Sequence, residues 1–163
     1  ARGVPARQGQ GEEQAAMRVA LTGHRVLGRN FSEAKLEGAL RALVGEGADT
    51  FYCGMALGFD SLCCEILLRL REESPVKIVA CVPCADQAAR YSPRAREKYD
   101  SLLAACDEKI VLHEKYENGC MFERNRRMVD NCDVLLAYLE SERGGTFYTV
   151  NYAKKKGKRI VFL

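Results

Sequence analysis

A chain of 163 residues, 47% apolar and 29% charged, can bury one substantial core without disulfide staples. No apolar run approaches the roughly 18 residues of a membrane span, and a net charge of +3 does not by itself call for a nucleic-acid partner. Eight cysteines would suggest a disulfide scaffold in a short secreted chain. Here Cys63, Cys64, Cys81, Cys106 and Cys132 fall inside apolar patterns and no secretory signal is visible, so buried, reduced thiols in a cytoplasmic protein are expected.

Residues 1–16 are rich in Gly, Gln, Arg and Glu without periodicity, and read as a disordered leader or expression remnant before a natural start at Met17. From Met17 the pattern alternates strand and helix, with no internal repeat or linker, so 17–163 reads as one domain. Arg18 to Thr22 is the first strand. Ser32 is placed to cap a helix from Glu33 to about Val44, whose stripe is Leu36, Leu40, Leu43 and Val44. Thr50 to Cys53 favours a second strand, followed by a turn bracketed by Gly54 and Gly58 and a helix with Leu62, Cys63, Ile66, Leu67 and Leu70 at helical spacing. Lys77 to Val82 is a near-continuous apolar strand, as in a parallel sheet buried on both faces.

Ser92-Pro93 opens the next helix, with Tyr99, Leu102, Leu103 and Cys106 as its stripe. Lys109 to His113 is a weaker strand. The run Met121 to Cys132 reads as helix with Phe122, Met128, Val129 and Cys132 inward and Arg124, Arg126 and Arg127 largely outward. Val134 to Tyr138 is strand five. Gly144-Gly145-Thr146 opens a last helix ending on Lys154-Lys155-Lys156-Gly157, and Arg159 to Leu163 closes the chain as a strand. Such alternation predicts a single three-layer α/β domain with a mainly parallel sheet of about six strands and helices on both faces. The turns at Gly23, Gly54, Pro83 and Gly144 are then expected to face one crevice at the carboxyl edge of the sheet, where ligands of these folds bind.

Candidate site residues follow from those turns. Gly54, Met55, Gly58 and Asp60 form a strand-to-helix turn in which glycine permits close backbone approach and the helix N-terminus favours an anion such as phosphate. The alternative is a plain tight connection, with Asp60 complementing the helix dipole. Gly144 and Gly145 leave the amides of the last helix open to phosphate, Thr146 can cap it, and Thr149 adds a hydroxyl one turn on. Thr22, Gly23 and Arg25 follow the first strand and Pro83 follows the third. His24 is either catalytic or a hydrogen-bonding turn residue. Arg124 or Arg127, sharing a helix face, can reach the crevice and pair with phosphate. Cys81-Val-Pro-Cys84 has the spacing of a redox pair or half a zinc site, against which Cys81 reads as core and Cys84 as pocket wall.

In Leu21-Thr-Gly-His-Arg25, Gly54-Met-Ala-Leu-Gly-Phe-Asp60, Arg124-Asn-Arg-Arg-Met-Val-Asp130 and Gly144-Gly-Thr146 with Thr149, the chain resembles the YpsA-like branch of the SLOG superfamily of Rossmann-like proteins. The resemblance spans nearly all of Met17 to Leu163. It implies a Rossmann-like domain that binds a nucleotide or a nucleotide-derived, ADP-ribose-like ligand, as a sensor or regulatory module. Other members of the superfamily hydrolyse nucleotide N-glycosidic bonds or bind single-stranded DNA. The cytokinin-activating phosphoribohydrolases carry a similar glycine turn followed closely by a glutamate, whereas Gly144 to Leu163 contains no Asp or Glu. A phosphoribohydrolase-type mechanism would need its carboxylate from elsewhere, such as Asp60, Glu123 or Asp130. A single-stranded nucleic-acid binder is the third reading, against which the near-neutral charge counts. No catalytic residue is assigned, no metal or cofactor is expected, and the partners expected are a nucleotide-derived small molecule, with no nucleic acid and no membrane; a homo-oligomer is left open.

Overall fold

The computed structural model describes residues 16–163, so the leader expected over residues 1–16 lies, but for Ala16, outside the described residues. Six strands, β1 (Met17–Gly23), β2 (Ala48–Cys53), β3 (Lys77–Val82), β4 (Glu108–Val111), β5 (Val134–Tyr138) and β6 (Arg159–Phe162), form one sheet in the order β4-β3-β2-β1-β5-β6. Every neighbouring pair is parallel. Five helices connect them: α1 (Glu33–Gly45), α2 (Phe59–Leu70), α3 (Pro93–Ala105), α4 (Cys120–Asn131) and α5 (Gly144–Lys155).

Alternation along the strands sorts the core into two layers. Val19, Leu21, Phe51, Ile78, Val134 and Leu136 face α1, α2 and α3, meeting Leu36, Leu40, Phe59, Ile66, Leu67 and Leu102. Ala20, Val79, Cys81, Leu135 and Ala137 face the other way, onto Met128 and Val129 of α4, Cys132 just after it, and Val150 and Ala153 of α5. Ser32 and Ser92 cap α1 and α3, their hydroxyls accepting from Lys35 N and Ala95 N at 3.2 Å each. β2 starts two residues earlier than its strand formers suggest because Ala48 pairs with Met17 of β1. β4 is an edge strand that ends at Val111, the last residue paired with β3.

Strand order reverses at β1, since β2, β3 and β4 extend to one side of it and β5 and β6 to the other. The connection from β4 to β5 must cross the whole intervening sheet, and α4 makes that crossing on the α5 face. Its first turns therefore pass over the carboxyl ends of β3 and β2. Among the described residues, no helix is long and apolar enough to cross a membrane.

Candidate functional site

At the switch point beside β1, where ligands of open α/β sheets bind, lies a cleft of about 370 Å³. Thr22, Gly23, His24 and Arg25 line it from the end of β1, Gly54, Ala56 and Asp60 from the β2 turn, Arg124 and Asn125 from α4, and Gly145 and Thr146 from α5. Three of the four turns expected to converge do so. The fourth, at Pro83, does not: Pro83 is buried at the end of β3 and its neighbour Cys84 lines a separate chamber.

Gly54 is the centre of this geometry. A Cβ there would lie 2.9 Å from Arg124 Cζ, 2.9 Å from Arg124 Nη1 and 2.9 Å from Asp60 Oδ2, so only glycine lets the guanidinium and the carboxylate close on the turn from either side. Arg124, expected on the outer face of its helix, is 5% exposed. Its Nη1 donates to the carbonyls of Gly54 and Cys81, the latter at 3.3 Å, and its Nε donates to Asn125 Oδ1 at 2.8 Å. Asp60 Oδ2 accepts from Ala56 N at 3.1 Å. Burial pushes the Asp60 carboxyl up to about 6, opposed by the positive charges of Arg124 and Arg25 and by the Ala56 hydrogen bond.

Helix α5 starts at the cleft with its N-terminal amides open. Arg143 is the N-cap residue and supplies no side-chain cap bond, and Gly144, at φ 89°, turns the chain into the helix. Thr146 is therefore not the cap that its position after two glycines suggested; it sits in the first turn, buried, with the cleft beside it. Thr149 is not a free donor, because its hydroxyl donates back to the Gly145 carbonyl at 2.7 Å.

Several other expected site residues serve the frame instead. Met55, at φ 61°, buries its side chain in the core. Gly58, at φ 78°, lets the turn close on β1: a Cβ there would stand 2.1 Å from the Arg25 carbonyl oxygen, and the next residue, Phe59, donates its N–H to His24 O at 3.1 Å. Gly144 and Arg127 are exposed and line no part of the cleft. His24 Nε2 accepts from Glu140 N at 2.9 Å, which holds the ring as a wall of the cleft. Glu123 and Asp130 are engaged away from the cleft, with His113 Nε2 and the Tyr152 hydroxyl, each at 2.7 Å. Among the described residues, Asp60 is thus the one carboxylate lining the cleft.

Of the cleft-facing stripe of α4, the sequence reading named only Arg124 as reaching the crevice. Met121, Arg124, Asn125 and Met128 line the cleft at spacings of three, four and seven residues, and Phe122, expected inward, lines it too while being 40% exposed. The helical period was the available signal, masked because the stripe mixes charged and polar residues with methionine. Among the described residues, no group of three or more His, Cys, Asp or Glu side chains is placed to hold a metal ion.

A family model described as the YspA SLOG family matches residues 29–161, which contain the Gly54 turn, α4 and the α5 turn. The chain belongs to the YspA SLOG family. This SLOG family member is 32% identical to a UPF0398 protein of Bacillus licheniformis over 131 residues, 78% of this chain and 72% of that one. It is 30% identical to a UPF0398 protein of Bacillus pumilus over 119 residues, 71% of this chain and 64% of the relative. Its fold is similar to that of DNA processing protein A from Streptococcus pneumoniae, with a TM-score of 0.67 at 18% identity, over 90% of this chain and 50% of that one. It is similar also to DNA processing protein A from Helicobacter pylori, in a structure describing single-stranded DNA binding, with a TM-score of 0.64 at 22% identity, over 90% of this chain and 64% of that one. The SLOG domain thus spans about half to two thirds of the DNA processing chains. These likenesses bear out the SLOG assignment and the Rossmann-like α/β fold.

Proposed function

We propose that this protein binds a nucleotide-derived ligand of the ADP-ribose type in the cleft at the end of β1, as a sensor or regulatory module. The observation that carries the reading is Arg124. Its direct partners are two backbone carbonyls, the Asn125 amide oxygen and the Met121 sulfur; among the described residues no carboxylate is ion-paired with it, and Asp60, across the Gly54 turn, acts on it at a distance while burial holds that carboxyl toward its neutral form. A buried charge of this kind is stabilised by an opposite one, and a phosphate between Arg124 and the open amides of Gly145 and Thr146 supplies it. Thr22, Gly23 and Arg25 bound the opposite wall.

The test is a calorimetric titration with ADP-ribose and a panel of nucleotides. Gly145 has one neighbouring atom near its position for a Cβ, Asn125 Nδ2 at 3.7 Å, so Gly145→Val is expected to fold normally and to lose binding as the branched side chain fills the phosphate position. Undiminished affinity in that variant would remove the site. Product analysis on every ligand that binds decides the hydrolase alternative, in which Asp60 is the carboxylate at hand.

A second reading is favoured by the fold shared with the Helicobacter pylori DNA processing protein: single-stranded nucleic acid lying with its phosphates in the same cleft. The two readings separate by salt. Backbone binding weakens steeply as ionic strength rises, with a slope set by the number of phosphates contacted, whereas a small ligand held by one buried arginine shows a shallow dependence.

A further inference from the structure

On the far side of the Gly54 turn a second chamber of about 540 Å³ opens, with Cys84, read from the sequence as pocket wall, in its lining. It shares Arg25 and Met121 with the cleft, so the two spaces meet at those side chains. The wall between them is the Gly54 carbonyl, which accepts from Arg124 Nη1 on the cleft side and from Gln87 Nε2, at 3.1 Å, on the chamber side.

Gln87 is buried and engaged at both ends of its amide, since its Oε1 accepts from the Tyr99 hydroxyl at 3.0 Å. Tyr99 in turn meets Tyr91 edge-on, with ring centroids 5.8 Å apart at 90°. The half-buried Tyr91 ring is thereby fixed in the chamber wall. Tyr116 also lines the chamber; it is 59% exposed on the loop before α4 and packs on no other ring among the described residues. With Asp86, Arg25 and Arg90 around them, the two rings offer aromatic surface flanked by charged hydrogen-bonding groups. An inorganic anion has no use for the rings, and an apolar ligand would strand the charges without partners. A planar heterocycle with polar edges matches both.

We propose that this chamber holds the base of a nucleotide whose phosphates lie in the adjoining cleft, with Tyr91 and Tyr116 as stacking surfaces and Arg25 at the junction. The inference rests on the phosphate reading of the cleft. The position of Arg25 accords with it, because its charge acts on Asp60 in the cleft and on Tyr91 in the chamber alike.

Two probes, ADP-ribose and ribose 5-phosphate, separate the chamber from the cleft by titration calorimetry. The Tyr91→Ala, Tyr116→Ala double variant is expected to lose roughly ten-fold or more in ADP-ribose affinity while binding ribose 5-phosphate as the parent does. The corresponding double phenylalanine variant should retain both affinities, since it keeps the rings. If the double alanine variant does not fold, Tyr116→Ala alone, on its exposed loop, carries the test. Unchanged ADP-ribose affinity in the alanine variant, with Gly145→Val binding neither probe, overturns the chamber and leaves the cleft. Parent-like binding of both probes by Gly145→Val overturns the cleft reading and the chamber with it, as does a parent protein that binds neither probe at millimolar concentration.

Discussion

Asp60 holds a carboxyl whose ionised form the fold disfavours, and its pH dependence has a definite sign. The folded value of about 6 lies above the ordinary 3.8, so the native state binds the proton more tightly than the unfolded chain does. Stability from this group is therefore full below pH 4, declines as pH rises toward 6 and stays lower beyond it, by up to about 3 kcal/mol. Asp60→Asn, whose amide oxygen can still accept from Ala56 N, should raise the melting temperature at pH 7.5 and leave it unchanged near pH 4. A variant that melts lower than the parent at pH 7.5 would show that the Asp60 charge is needed to offset Arg124. Gly54→Ala is expected to destabilise by about 1–3 kcal/mol in chemical denaturation, since its methyl group meets two side chains that are both buried. Ligand binding should fall with it as Arg124 is displaced.

Helix starts in this protein fall into two kinds, and substitutions should tell them apart. α1 and α3 are capped by serine hydroxyls, so Ser32→Ala should cost about 1 kcal/mol in chemical denaturation. α5 has no side-chain cap, so Thr146→Ala should cost no capping energy and act on ligand affinity instead. A loss in Thr146→Ala as large as that in Ser32→Ala would mean that the hydroxyl supports the helix after all. The absence of a side-chain cap at α5 leaves its first amides to a ligand, and α2 and α4, whose first turns also line the cleft, lack side-chain caps as well.

For the molecule as a whole, the eight cysteines offer a check on packing. All are free and buried, and burial pushes Cys81 and Cys84 up to about 12 and Cys132 up to about 11. Native protein at neutral pH should therefore react slowly with a maleimide, and all eight thiols should label once it is unfolded, as intact mass would record. Fast stoichiometric labelling of the native state at Cys81 or Cys84 would instead revive the redox reading of that pair.

The order of strands and helices, the parallel sense of the sheet and the turns at Gly23, Gly54 and Gly144 were legible in the sequence, because periodicity and glycine placement are local properties that right-handed crossovers convert into one topology. The two-sided burial of β3 and β5 was legible for the same reason, in their unbroken apolar runs. Which residues finally face the ligand was a tertiary matter. Arg124 reads as one of two arginines, with Arg127, able to reach the crevice, and only the passage of α4 across the sheet from β4 to β5 carries it, and not Arg127, over the carbonyls of Gly54 and Cys81. Met55, Gly58 and Thr149 stand in the right motifs yet turn into the core, onto the Arg25 backbone and back to Gly145, because backbone dihedrals set the direction of a side chain and sequence spacing does not. The chamber beside Tyr91 and Tyr116 was legible only in Cys84 as pocket wall, since it is made largely by two loops, 84–91 and 112–119, brought together where β4 pairs with β3 and tied by the bond from Ala85 N to His113 O.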